Sequence, residues 1–121
     1  MPKAKETVLE INLANLAHNY QFLKSKIRPE TKFLAVVKAF AYGTDAVKIA
    51  QKLETLGVDY LAVAYAAEGV ALRQAGIKTP ILVLHPLAVN FDELLEHQLE
   101  PSLYSPNLMT NFLAHIASKN L

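Results

Sequence analysis

Short apolar runs recur along the chain, and the stretches between them have the spacing of amphipathic helices. The runs are Phe33–Val37, Tyr60–Ala64 and Ile81–Leu84, with a weaker one near Ser102. Each of the first three is continuously apolar rather than alternating, which is typical of strands that are covered on both faces. Strands that alternate with helices at this interval indicate βαβ units and a parallel sheet.

Polar residues that precede helical spacing mark where the helices begin. The predicted caps are Asn12, Thr44, Asn90 with Glu93 as a capping box, and Ser105 followed by Pro106. Gly57 and Gly76 are predicted to end the second and third helices. Thr7–Ile11 is a candidate strand ahead of the first helix.

About four βα units fit in 121 residues, whereas a complete (β/α)8 barrel needs about 250. Four units alone would leave two open sheet edges, which proteins normally pair or cover. We therefore predict an α/β fold, the amino-terminal half of a partial (β/α)8 TIM-type barrel. Residues 1–12 would form a leading strand and residues 13–121 about four helix/strand units, so that 1–121 is a fragment of a longer barrel domain.

Composition narrows the classes of function. Apolar residues make up 52% and charged residues 19% of the chain, so it can bury a core. A net charge of +1 without a basic cluster argues against a nucleic-acid partner. The chain has no cysteine, which excludes disulfides and thiolate metal sites. No apolar run approaches membrane-spanning length, and no signal segment is visible, so we expect no membrane association and a cytoplasmic location.

Lys38 stands at the end of the first apolar run and is the strongest candidate for chemistry. Strand alternation puts it on one face with Leu34 and Val36, at the carboxyl end where barrel active sites lie. Burial favours the neutral lysine amine, which forms an imine with an aldehyde. A lysine that extends from the strand end into water is the alternative. Tyr42 either places a phenol donor at the same rim or closes it as a half-buried aromatic residue.

The stretch Ala35-Val36-Val37-Lys38-Ala39-Phe40-Ala41-Tyr42-Gly43 resembles the cofactor-lysine motif of alanine racemases. These are pyridoxal-phosphate enzymes with a barrel domain and a β domain, and the likeness extends over roughly residues 7 to 116. The resemblance implies that Lys38 binds pyridoxal phosphate covalently and acts as a base on the substrate Cα–H. It also implies that Tyr42 hydrogen-bonds the cofactor phosphate and that Val36 and Leu84 contact the cofactor, although plain core packing explains the last two equally well.

The family implies further properties of the whole protein. The substrate would be alanine, the D-alanine would serve peptidoglycan synthesis, and the protein would be a homodimer. The second base would be a tyrosine of the other subunit, in a β domain outside this sequence, so the 121 residues alone should not racemise. Phe40 and Thr44 depart from the common motif. The Phe40 form resembles racemase domains fused to a ligase that adds D-alanyl-D-alanine to the muropeptide precursor.

Other interpretations stay open at this point. A basic amino-acid racemase, a decarboxylase or a non-enzymatic pyridoxal-phosphate carrier could use the same lysine on the same barrel. A structural fragment that folds by pairing its open edges is a further alternative. The histidines, His18, His85, His97 and His115, lack the spacing of metal ligands, so no metal site is predicted. His85 follows a strand and could also lie at the site face.

Overall fold

A computed structural model describes residues 7–121, in which a parallel sheet is built from four short strands. They are β1 (Leu34–Val36), β2 (Tyr60–Val63), β3 (Ile81–Val83) and β4 (Glu100–Pro101). Each strand pairs with its neighbour in sequence, giving the order β1-β2-β3-β4. This is the order of consecutive barrel strands, since a doubly wound sheet reverses its order at a switch point. The predicted α/β fold with a partial barrel is confirmed.

The helices lie between and around these strands. They are α1 (Leu13–Ser25), α2 (Lys38–Gly43), α3 (Ala46–Thr55), α4 (Ala66–Gln74), α5 (Phe91–Glu96, preceded by a 3-10 turn at Ala88–Asn90) and α6 (Pro106–Ser118). The caps at Asn12 and Ser105 are confirmed, because their side-chain oxygens accept the backbone N–H groups of Asn15 and Leu108 at 3.0 and 3.1 Å. In the described part of the chain, none of these helices has both the length and the apolar character needed to cross a bilayer.

One predicted cap is wrong, and two other predictions differ from the structure in detail. Asp45, not Thr44, caps α3, because its carboxylate accepts the backbone N–H of Lys48 at 3.0 Å. The Thr44 hydroxyl instead donates to the Ala41 carbonyl at 2.8 Å. Asn90 is the N-cap residue of α5 as predicted, but its side chain makes no bond to the backbone; its amide donates to the Glu93 carboxylate at 3.4 Å instead. The weak strand expected near Ser102 lies two residues earlier, at β4.

The described residues show no strand over Thr7–Ile11, so the leading strand stays a prediction for a longer chain that supplies its partner. Residues 7–12 have no regular secondary structure, and Val8 and Leu9 are 60% and 63% exposed. A strand needs a partner for its backbone N–H and C=O groups. Within residues 7–121 the strands pair only as β1 to β4, so this segment has no neighbour to pair with. The rest of the predicted leading segment, residues 1–6, lies outside the described residues.

The two faces of the sheet have different surroundings. One face packs against the helices, and the core it forms includes Val37, Leu61, Val63, Ile81, Val83, Leu53, Leu72, Leu94 and Phe112. On the other face Leu34 and Val36 are 44% and 38% exposed and Leu82 is half-buried, although the small Ala62 is buried. The prediction that the strands are covered on both faces is therefore wrong for this chain. The half-open face is the one that would form the interior of a closed barrel.

Glu54 joins the end of α3 to the segment that leads into β3. Its Oε2 accepts the backbone N–H of Lys78 at 2.8 Å, the backbone N–H of Thr79 at 2.7 Å and the Thr79 hydroxyl at 2.8 Å. Burial raises the pKa of Glu54, but the hydrogen bonds from Thr79 and Lys78 outweigh it and hold the pKa below its ordinary value. The carboxylate is therefore favoured in the folded state.

This lowered pKa makes part of the stability dependent on pH. The folded pKa of Glu54 lies below its unfolded value. Its contribution to the free energy of unfolding is therefore fully present above the ordinary glutamate pKa and is lost as the pH falls through the folded pKa. We expect Glu54→Gln to reduce the acid dependence of the free energy of unfolding, measured by urea titration from neutral to acidic pH. Glu96→Gln, at an exposed position of α5, is the matched control. Parallel profiles for wild type and Glu54→Gln would contradict the assignment.

Candidate functional site

Lys38 lies at the carboxyl end of the sheet, two residues beyond the end of β1. The backbone N–H of Val37 donates to the Ala62 carbonyl at 2.8 Å, and that of Leu84 donates to the Val63 carbonyl at 2.9 Å. The pairing of β1, β2 and β3 therefore brings Lys38 and Leu84 to the same end of the sheet, on strands that β2 separates. In barrels this end carries the active site.

The chain leaves Lys38 through a left-handed helical turn. Ala39, Phe40, Ala41 and Tyr42 have φ between 51° and 61° and ψ between 41° and 53°. None of the four is glycine, and left-handed helix costs about 1–2 kcal/mol for each L-residue. Such a conformation persists only where the surrounding structure holds it. Gly43 follows with φ +88°, a conformation that glycine adopts without steric strain.

Glu68 is a residue of this site that sequence reasoning missed. Its Oε2 accepts the backbone N–H of Ala39 at 2.7 Å, and its Oε1 accepts those of Ala64 and Tyr65 at 2.9 Å each. One carboxylate therefore joins the turn after Lys38 to the loop after β2. The signal in the sequence is its position three residues after Tyr65, where a glutamate can complete a helix cap. Its bond to Ala39, 29 residues away, has no such signal.

The four predicted site residues are only partly brought together. Val36 and Tyr42 line one cavity of about 340 Å³ between α1, β1 and α3, whose walls are otherwise mostly apolar. Lys38 and Leu84 are not among its lining residues. Lys38 is half-buried rather than enclosed, and Tyr42 is 67% exposed. The arrangement thus presents an amine and a phenol on the same turn, with one side open to solvent.

A second cavity, of about 520 Å³, lies on the other side of the turn. Its lining includes Val37, Phe40, Asp45 and Glu68, and it reaches the buried Val63 of β2. Neither cavity is lined by a lysine, arginine or histidine of the described chain. The carboxylates of Asp45 and Glu68 make this second cavity unfavourable for an anion.

The histidines do not converge on the lysine. His85 is exposed beyond β3 and packs on the ring of Tyr65, with a distance of 5.9 Å between ring centroids. His115 of α6 pairs with Asp92 of α5 at 2.8 Å. Hydrogen bonds from Lys119 and then His115 lower the pKa of Asp92. Across residues 7–121, histidine, aspartate and glutamate side chains form no group of three placed to hold a metal ion.

Known proteins resemble this chain along almost all of its length. The sequence model of the family described as "Alanine racemase, N-terminal domain" matches residues 11–120. The alanine racemase of Thermodesulfovibrio yellowstonii is 40% identical over 113 residues, which cover 91% of this chain and 30% of that protein.

Solved structures share the fold. The alanine racemase of Clostridium difficile 630 superposes with a TM-score of 0.88 at 38% identity, covering 96% of this chain and 32% of that one. The alanine racemase of Bartonella henselae, solved with covalently bound pyridoxal phosphate, superposes with a TM-score of 0.81 at 28% identity, over 91% of this chain and 31% of that one. The chain spans about a third of the length of these relatives. The sequence match, the strand order and the superposition agree, and this chain belongs to the alanine racemase family.

Proposed function

We propose that this chain is the amino-terminal part of a pyridoxal-phosphate-dependent racemase that interconverts L- and D-alanine, and that Lys38 carries the cofactor. The observation that carries the proposal is the position of Lys38 at the carboxyl end of β1, in a sheet that superposes on an alanine racemase with a TM-score of 0.88. Residues 1–121 would be a fragment of the barrel domain, and the domain boundary would lie beyond the chain.

The residues present fit the aldehyde end of the cofactor better than its phosphate end. Lys38 offers a half-buried primary amine for the aldehyde, and the exposed hydroxyl of Tyr42 can donate to a phosphate oxygen. Val36 and Leu84 would contact the cofactor as apolar neighbours. The cavities on either side of the turn have no cationic lining residue. The charge of the phosphate would therefore be balanced by groups outside the described residues.

The chain's own contribution to racemisation would be proton transfer at Lys38. When bound, the cofactor supplies a conjugated ring that delocalises the charge left when a proton leaves the substrate Cα. The neutral Lys38 Nζ would accept that proton on one face of the substrate. Inversion then needs an acid on the opposite face, which the family resemblance assigns to a tyrosine of a second subunit, outside this chain.

Several properties of the whole protein follow from this proposal. It would be a homodimer because its two bases come from different subunits, and the 121 residues alone would not turn over alanine. D-Alanine would supply peptidoglycan synthesis in the cytoplasm. The relatives named above carry racemase names, so the fusion to a ligase, suggested by Phe40, receives no support from them.

Covalent trapping tests the proposed lysine. We expect pyridoxal phosphate and borohydride to leave a reduced adduct on the Lys38 peptide of the wild-type chain, detected by mass spectrometry. Lys38→Ala should abolish this adduct, whereas Lys48→Ala, at an exposed position of α3, should retain it. Labelling spread over exposed lysines, and unchanged in Lys38→Ala, would refute the assignment. Alanine turnover is then measured with the longer protein that contains this sequence.

A further inference from the structure

We propose that Glu68 is the positioning residue of this site: its carboxylate holds the Ala39–Tyr42 turn in its left-handed form and so sets where Lys38 and Tyr42 present their amine and phenol. The proposal rests on the proposed function only for the identity of the ligand that Lys38 binds. Glu68 itself lies outside the motif around Lys38, and its carboxylate joins two different strand ends.

The turn needs an anchor outside itself. Four consecutive L-residues in the left-handed region are strained, and the strain relaxes if the chain can move to right-handed or extended conformations. The backbone N–H of Ala41 donates to the Val37 carbonyl at 3.0 Å, and Thr44 bonds the carbonyls of Phe40 and Ala41. These partners adjoin the turn in sequence and can move with it.

Glu68 supplies that anchor. Among the turn's described hydrogen bonds, the 2.7 Å bond from the Ala39 backbone N–H to Glu68 Oε2 is the one that reaches a distant element. Its length is typical of a charge-assisted bond. The other oxygen, Oε1, is itself fixed by the backbone N–H groups of Ala64 and Tyr65 at 2.9 Å. A carboxylate held at the end of β2 therefore fixes the first residue after Lys38.

The carboxylate cannot be replaced by its isosteric amide. The three N–H groups that surround Glu68 all donate, and they contact both of its oxygens. A glutamine has one acceptor oxygen and an NH₂ group that only donates. In Glu68→Gln, either Ala39 or the pair Ala64 and Tyr65 would therefore face another donor. Size and shape are preserved, so the variant tests the hydrogen bonds rather than the packing.

The first measurement is amide hydrogen exchange of the turn in the wild-type chain and in Glu68→Gln. We expect the backbone N–H of Ala39 to exchange faster by on the order of tenfold in the variant, as expected for loss of a hydrogen bond to a charged group. Amides of β3, such as that of Val83, should be unchanged. Glu96→Gln, at an exposed position of α5, is the matched control. Unchanged exchange at Ala39 would overturn the proposal.

The second measurement separates placement of the amine from its mere accessibility. We expect the rate at which pyridoxal phosphate and borohydride label Lys38 to fall by on the order of tenfold in Glu68→Gln, for the same lost bond. Reductive methylation of Lys38 by formaldehyde needs an accessible amine but no second contact, and should stay within about twofold in the folded variant. Faster hydrogen exchange at Ala39, together with an unchanged rate of Lys38 labelling by pyridoxal phosphate, would overturn the positioning role.

A second substitution shows whether the role of Glu68 is to hold the left-handed backbone. Glycine adopts positive φ without the penalty of a Cβ atom, and Ala39 has φ 51°. Ala39→Gly in the Glu68→Gln background should therefore recover part of the lost labelling rate. No recovery of the labelling rate would overturn the proposed role. If Glu68→Gln alone folds poorly, the labelling rate is measured in the double variant instead. If the wild-type chain forms no adduct at Lys38, the proposed function fails, whereas hydrogen exchange still decides the role of Glu68.

Discussion

Replacing Arg73 by methionine is expected to lower the free energy of unfolding by about 3 kcal/mol, because several carbonyls lose a charged donor at once. The guanidinium donates to the carbonyls of His97, Ile77, Thr79 and Gln98 at 2.8 to 3.1 Å. Those carbonyls precede β4 and β3, so one side chain of α4 joins the loops that lead into two strands. Methionine retains much of the aliphatic stem but none of the donors.

Urea unfolding of the wild-type chain and of Arg73→Met measures this loss. The free energy of unfolding of Arg73→Lys should lie between those of the wild-type chain and Arg73→Met, because an ammonium group cannot reproduce the planar guanidinium that reaches several carbonyls. The control is Arg28→Met: the Arg28 side chain is 83% exposed and pairs with Glu30 at 3.5 Å, so its loss should stay within about 0.5 kcal/mol. A similar loss for Arg28→Met and Arg73→Met would contradict this account.

Arg73 and Lys38 lie at opposite ends of the sheet. Arg73 contacts the loops that enter the strands, whereas Lys38 follows the carboxyl end of β1. In barrels the first end contributes stability and the second carries chemistry. Under conditions where Arg73→Met remains folded, its Lys38 should therefore be labelled by pyridoxal phosphate at the wild-type rate.

Leu61→Ala is expected to cost about 3–4 kcal/mol, within the range for buried leucines that leave a cavity. Leu61 is 0% exposed and lies on β2 between Ala35 of β1 and Ile81 of β3, on the face that the helices cover. Its side chain therefore contacts core atoms that cannot easily close the space left by truncation.

Leu34→Ala is the matched control for Leu61→Ala, since it removes the same atoms from the opposite face of the sheet. Leu34 is 44% exposed, so its truncation should cost under about 1.5 kcal/mol in this chain, in proportion to the smaller area withdrawn from water. Urea titrations of both variants give the comparison. Equal costs would show that the two faces of the sheet are covered alike, against the structure described here.

The elements of this fold could be predicted because their signals are local. The apolar runs gave β1, β2 and β3 to within a residue or two, and Asn12 and Ser105 were recognised as caps from their own neighbours. Local signals are not enough where an element depends on a distant partner. The segment over residues 7–11 has the composition of a strand, but a strand forms only beside another strand, and its composition does not specify one.

The candidate site was predicted in position but not in shape. Lys38 was placed at a strand end from the run that precedes it, and the structure shows it there. The left-handed turn after it was not predicted, because Ala39 and Phe40 carry no local preference for positive φ. Backbone conformation at these positions depends on contacts with the end of β2. The roles assigned to Lys38, Tyr42, Val36 and Leu84 stay predictions until the trapping experiment is done.

The alternation of strands and helices and the location of the lysine could be inferred from the sequence alone, because each depends on residues that are close along the chain. The face of the sheet that the helices cover, and the side chains that hold the strand ends, became visible in the folded chain. The bond from Ala39 to Glu68 spans 29 residues, and those from Arg73 to His97 and Gln98 span 24 and 25. Such groups meet only after neighbouring strands have paired, so their contacts follow from the assembled sheet rather than from local preference.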